Sequence, residues 1–276
     1  MSTTSKHFPA WAFLSLATNA ILIMTVILLL LRELGVTAFF GKMVYPQAKV
    51  AAKSAAIAPQ LGPRHQLNYQ QWLDILTKEA KITSEKRPEN LNILLGDSLS
   101  LWFPTELLPP DINWLNQGIS GETSTGLLKR LDLFDKTQPK TIWLMIGIND
   151  LIRGADDQTI LENHRQIIKY LKKVHPQAQI IVQSILPHGD DQATWEGRAK
   201  LLAIPNDRIR ELNQQLQAIA SQKNVKFLNL HPLFTDTQGN LRYELTTDGL
   251  HLNPQGYLVW RSALQVYTQI ELEGKR

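Results

Sequence analysis

Residues 91–103 read "LNILLGDSLSLWF". A short, largely apolar run from Leu91 to Leu95 meets glycine, aspartate and serine, and a second apolar run follows. A run of that length without a polar face marks a strand buried on both sides, as in parallel sheets. The polar break marks the carboxyl end of that strand, where open α/β sheets gather their ligands. Ser98 is therefore either the cap of the next helix or a nucleophile. Nothing inside the stretch chooses between the two.

Working outward, four further apolar runs have the same look: Ile112 to Asn116, Thr141 to Ile146, Gln179 to Ser184 and Lys226 to Asn229. Between them helical spacing recurs at 123–134, 157–174 and 207–222, and a last helix follows Pro254. Strands alternating with helices pair in parallel through right-handed crossovers, which predicts a three-layer α/β/α sandwich around a five-stranded parallel sheet. Upstream, Trp72, Ile75, Leu76 and Ala80 share one face of a short amphipathic helix that leads into this domain.

The chain has 276 residues, 43% of them hydrophobic, enough for a sizeable core. Its net charge of +4 comes from scattered lysines and arginines, without the dense basic patch that tracks a phosphate backbone, so nucleic acid is not an expected partner. There is no cysteine, which excludes disulfides, thiolate nucleophiles and cysteine-based metal sites. The histidines at 7, 65, 164, 175, 188 and 231 show no ligand spacing. Neither a metal nor another cofactor is expected.

From Ala10 to Leu31 the chain carries no charge, a run of roughly 20 residues that matches a bilayer core of about 30 Å. We read residues 1–34 as a tail and transmembrane helix, 35–66 as a stalk, and 67–276 as the folded domain. Cleavage after a site such as Val36-Thr37-Ala38 is the competing reading. The flanking charges, Lys6 before and Arg32, Lys42 and Lys49 after, favour a cytoplasmic domain. Signal anchors followed by one long domain commonly export it regardless, and the expectation is extracytoplasmic.

The other strand ends supply what Ser98 needs. The last segment, "TTDGLHLNPQGY", places Asp248 three residues before His251, close enough to hold the imidazole Nδ1 and leave Nε2 as a base. "LNQGISGETSTG" and "IGIND" follow the second and third strands. Gly118, Gly121 and Asn149 there offer N–H groups to an oxyanion. Asp97 and Asp150 read as turn carboxylates that brace their loops.

The four segments, "GDSLS" at 96–100, "NQGISGET" at 116–123, "GIND" at 147–150 and "DGLH" at 248–251, resemble in order the four blocks of the GDSL esterase/lipase family, the SGNH hydrolases. The resemblance covers roughly residues 91–270 and implies a flavodoxin-like sheet and a serine hydrolase of acyl esters. It implies Ser98 as nucleophile, His251 as base, Asp248 as its orienter, and an oxyanion hole of the Ser98 and Gly121 N–H groups with the Asn149 side chain. The serine lacks the G-x-S-x-G elbow of the other large hydrolase fold, since Leu99 and Ser100 follow it.

The ester itself is left open. A small-molecule or lipid ester, such as a lysophospholipid or short acyl ester, is the first expectation. A polysaccharide acyl or acetyl group, removed or transferred, is the second, and an idle binding module the third. Trp102 and Phe103 either line an acyl pocket or belong to the core. The long connection 187–206, with Trp195, Leu201, Leu202 and Ile204, is either a substrate wall or a structural excursion.

Overall fold

The computed structural model describes residues 67–273. The apolar run at 10–31, expected to span a membrane, and the 35–66 stalk lie outside them. Among the described residues no helix is long and apolar enough to cross a membrane.

The domain opens with α1 (Tyr69–Lys86), started by a capping box between Asn68 and Gln71 and buried through Trp72, Leu76 and Ala80. It runs on past Ala80 and stops where Arg87 turns left-handed, φ 46°. Five strands follow: β1 (Leu91–Gly96), β2 (Asn113–Gly118), β3 (Thr141–Met145), β4 (Gln179–Gln183) and β5 (Lys226–Leu228). They lie in the order β2-β1-β3-β4-β5, every pair parallel. The five-stranded parallel sheet expected from the sequence is thus present. Its strand order is the flavodoxin-like one, which reverses direction between β1 and β3.

Strand alternation builds a core on each face. Ile93, Leu95, Ile142, Leu144, Ile180 and Val182 point one way. They meet α3 (Ser124–Leu128), α5 (Asp157–Val174) and α7 (Asn206–Gln222) through side chains such as Leu127, Ile167 and Leu212, with α4 (Ile148–Ile152) and α6 (Arg198–Leu202) alongside. Leu94, Trp143, Met145 and Ile181 point the other way. They meet α2 (Ser98–Leu101), α8 (His231–Phe234) and α9 (Pro254–Tyr267), with Leu99, Phe234 and Trp260 at the contact. Each such side chain, fully buried, contributes about 1.5–3 kcal/mol. Two cores on one sheet make the three layers.

The helix expected over 123–134 is broken. It ends at Leu128, and Arg130 leaves helical geometry at φ −125° before a 3₁₀ turn over Leu131–Phe134. The break falls where the Arg130 side chain turns inward to Glu122. The connection 187–206 resolves toward the structural reading. Leu201 and Ile204 are core residues and Trp195 packs on the same core. The segment also grips the loop that carries Asp248: Thr194 and Trp195 N–H groups bond to Asp248 O at 2.8 and 2.9 Å, and Gly189 N–H bonds to Gly249 O at 2.7 Å.

Candidate active site

β1 delivers Ser98 as the first residue of α2, 5% exposed. Asp97 caps that helix, its Oδ1 accepting the Leu99 N–H at 3.0 Å, which is the bracing role expected of it. Burial pushes the Asp97 carboxyl up to about 7 against that hydrogen bond, and the charges of Asp150 and Glu122 add to the rise. β2 holds the turn from the side. Asn116 Nδ2 donates to Ser100 O at 2.6 Å, and α2 lies so close that a Cβ on Gly118 would come 2.4 Å from Leu101 N. Only glycine leaves room there.

Asp248 and His251 are joined directly. Asp248 Oδ2 accepts from His251 Nδ1 at 2.8 Å, while Oδ1 takes the N–H groups of Leu250 and His251 at 2.9 and 2.8 Å. With Nδ1–H donating, the lone pair sits on Nε2. Burial works to raise the Asp248 carboxyl; the hydrogen bond and charge of His251 and the backbone N–H groups outweigh it and hold the group below its ordinary value. Trp102 brings this loop to the helix that Ser98 opens. It follows Ser98 by one turn, its N–H bonded to Ser98 O at 2.9 Å, and its ring lies 4.3 Å from that of His251. Phe103 faces inward instead, against Tyr257 and Trp260, and is core.

Gly121 lies in the loop after β2 and Asn149 in the first turn of α4 after β3, on either side of the β1 end. Gly121 has φ +72°. The Asn149 Nδ2 group is buried and meets no acceptor in the protein, a donor held without a protein partner. Asp150 ties the two segments together. It accepts from Ser124 N at 2.8 Å and Ser124 Oγ at 2.5 Å, and Asn163 Nδ2 donates to Ser124 Oγ at 2.9 Å.

Two groups escape a sequence reading. Glu122 and Arg130 form a buried ion pair, Nε to Oε2 2.7 Å, with side chains 4% and 2% exposed. Arg130 Nη2 reaches on to Gln117 O at 3.0 Å, at the carboxyl end of β2. The second is Arg153, which closes α4 and donates to Gly121 O at 2.7 Å. The only sequence signal for the ion pair was a glutamate directly after Gly121 with an arginine eight residues on. For Arg153 there was none. A cavity of about 250 Å³ lined by Asn90, Trp114, Lys140 and Gln179 is touched by neither Ser98 nor His251.

A serine at the carboxyl end of the first strand of a doubly wound sheet, with an aspartate-held histidine against its helix, is an arrangement that can carry acyl transfer on a three-layer α/β fold. Residues 94–259, more than half of the chain, match the GDSL-like lipase/acylhydrolase family. The chain belongs to that family, whose members are ester hydrolases, and is itself an ester hydrolase of this kind. It is 27% identical over 200 residues to the platelet-activating factor acetylhydrolase IB subunit alpha1 of Rattus norvegicus, covering 67% of this chain and 77% of the relative. Among solved structures it is similar to a Streptococcus pneumonia protein provisionally described as a platelet activating factor, at 29% identity and TM-score 0.60, over 72% of this chain and 96% of that one. The psychrotrophic esterase EstA of Pseudoalteromonas sp. shares the fold at 21% identity and TM-score 0.51, over 67% of this chain and 100% of that one.

Proposed function

We propose that the protein hydrolyses short acyl esters, acetyl esters among them, through an acyl-enzyme on Ser98. The observation that carries this reading is the Asp248–His251 bond at Nδ1, which leaves Nε2 as the free base of a loop packed against the Ser98 helix. Ser98 Oγ attacks the acyl carbonyl as His251 Nε2 takes its proton. The oxyanion is received by the Ser98 and Gly121 N–H groups and the Asn149 amide. His251 gives the proton to the departing alkoxide, then takes one from the water that releases the acid and restores the serine. The acetylhydrolase name of a 27%-identical relative supports the short acyl group.

The test is turnover of p-nitrophenyl acetate and its longer-chain homologues by the full chain and by Ser98→Ala. The short ester should be preferred, and the variant should fall to the uncatalysed rate. Equal turnover by the two proteins would discard Ser98 as nucleophile. We propose further that residues 10–31 tether the enzyme to a membrane, a reading supported by the length and lack of charge of that run, with its domain on the outer side, where signal anchors followed by one long domain commonly place it. Recovery of the full chain in the soluble fraction of lysed cells would refute the tether, and a domain protected from protease in intact cells would refute the orientation.

A further inference from the structure

Arg153 stands on the same helix as Asn149, one turn on, its N–H bonded to Asn149 O at 3.0 Å. The residue is exposed, and its Nη2 is pinned to Gly121 O at 2.7 Å. Among the described residues no carboxylate lies within ion-pair distance of it. The acids around the site are engaged elsewhere: Glu122 by Arg130, Asp150 by Ser124, Asp248 by His251. A Cβ built on Gly121 would find only Arg153 Nη2 within 4 Å, so the space beside this glycine is open apart from the guanidinium.

As a brace, the Arg153 bond is modest. An exposed hydrogen bond adds little net stability, and the buried Asp150–Ser124 clamp already ties the same two segments. What the arginine adds is charge and donors. It has five N–H groups in a planar fork, the geometry that pairs with carboxylate and phosphate. Covalent geometry puts the guanidinium within roughly 9 Å of an oxygen held by the Gly121 N–H. That distance suits an anionic group a few bonds from the reacting carbonyl.

We propose that Arg153 selects esters that carry an anionic group, a carboxylate or a phosphate, near the acyl carbonyl. The inference rests on the hydrolase reading given above. It is tested with the full chain on two pairs of esters. Ethyl hydrogen glutarate against neutral ethyl 4-acetylbutanoate places the charge on the acyl side. 2-Acetoxyethyl phosphate against 2-methoxyethyl acetate places it on the alcohol side. The wild type should favour the charged member of at least one pair by about tenfold in kcat/KM, through KM, and R153Q should erase that preference while R153K keeps part of it. The preference should also shrink between 0.05 and 0.5 M salt, as a screened charge contact must. The same kcat/KM for both members of both pairs, with turnover intact, would overturn this inference alone. So would an R153Q that lowers kcat on charged and neutral esters alike at constant KM, since that is the signature of a brace on Gly121. No turnover of any of the four esters would overturn the hydrolase reading and this inference with it.

Discussion

Trp102 rests against His251 with ring centroids 4.3 Å apart and planes at 40°. The imidazole is thus held from two directions, by Asp248 at Nδ1 and by an indole on its face. In the proposed mechanism His251 becomes a cation beside an aromatic ring on taking the serine proton, a contact of about 0.5–2 kcal/mol. Trp102→Leu should therefore lower kcat roughly 3- to 30-fold, and Trp102→Phe should recover most of the loss. Equal rates for the two variants in steady-state assays would reduce Trp102 to a packing residue.

The unpartnered amide of Asn149 gives a cleaner separation of activity from stability. Asn149→Ala removes no hydrogen bond that this Nδ2 group makes within the protein. The melting temperature should hold or rise while kcat falls by about 10² to 10³, the usual cost of one oxyanion donor. A loss of stability with little loss of rate would assign the residue to the fold alone.

Asp248→Asn keeps an oxygen for the Leu250 and His251 N–H groups, so the loop should survive. What it loses is the acceptor that fixes the Nδ1–H tautomer of His251. A fall in kcat on the order of 10⁴ is expected, as for the equivalent change in other serine hydrolases. A fall below tenfold would mean that His251 is oriented by something else.

Asp97 makes a prediction about stability rather than rate. Its carboxyl is raised from 3.8 to about 7 in the fold, chiefly by burial. Between those values the folded state holds a proton that the unfolded chain has released, so this group's contribution to stability is full below about pH 4 and is lost as pH rises through 7. Asp97→Asn retains an oxygen to cap α2 and does not titrate. In urea melts, the stability of the variant relative to wild type should grow from pH 4 to pH 7.5 and then level off. A pH-independent difference would mean that Asp97 is ionised throughout.

The site and the sheet were legible in the sequence for different reasons. Strands buried on both faces read as apolar runs, and turn residues after such runs mark their carboxyl ends, so Ser98, Gly121 and Asn149 could be picked out before any coordinates; Asp248 and His251, which no strand leads into, stood out by their three-residue spacing. What held those residues in place was not legible. The Glu122–Arg130 pair and the Arg153–Gly121 bond join groups that share no single helix or strand, so no periodicity in the sequence pairs them. Leu201 and Ile204 were ambiguous because an apolar patch in a long loop reads the same whether it lines a substrate wall or fills a core. The break at Arg130 escaped notice because the apolar positions around it keep helical spacing while the arginine is drawn inward by a charge.

The helix α1 lies ahead of the family match, which begins at residue 94. Yet its Trp72 and Leu76 are buried in one cluster with Ile119, two residues before Gly121, and Leu101 of α2 packs on the same cluster. Its Tyr69 hydroxyl donates to Glu122 Oε2 at 3.4 Å. A version of the enzyme trimmed to the motif boundary would leave Ile119 facing water and the glutamate of the ion pair short of a donor. The smallest self-sufficient unit of this hydrolase accordingly begins before Tyr69. Any fusion or truncation should be cut there, because the floor under the Gly121 loop is supplied by residues that lie outside the family match.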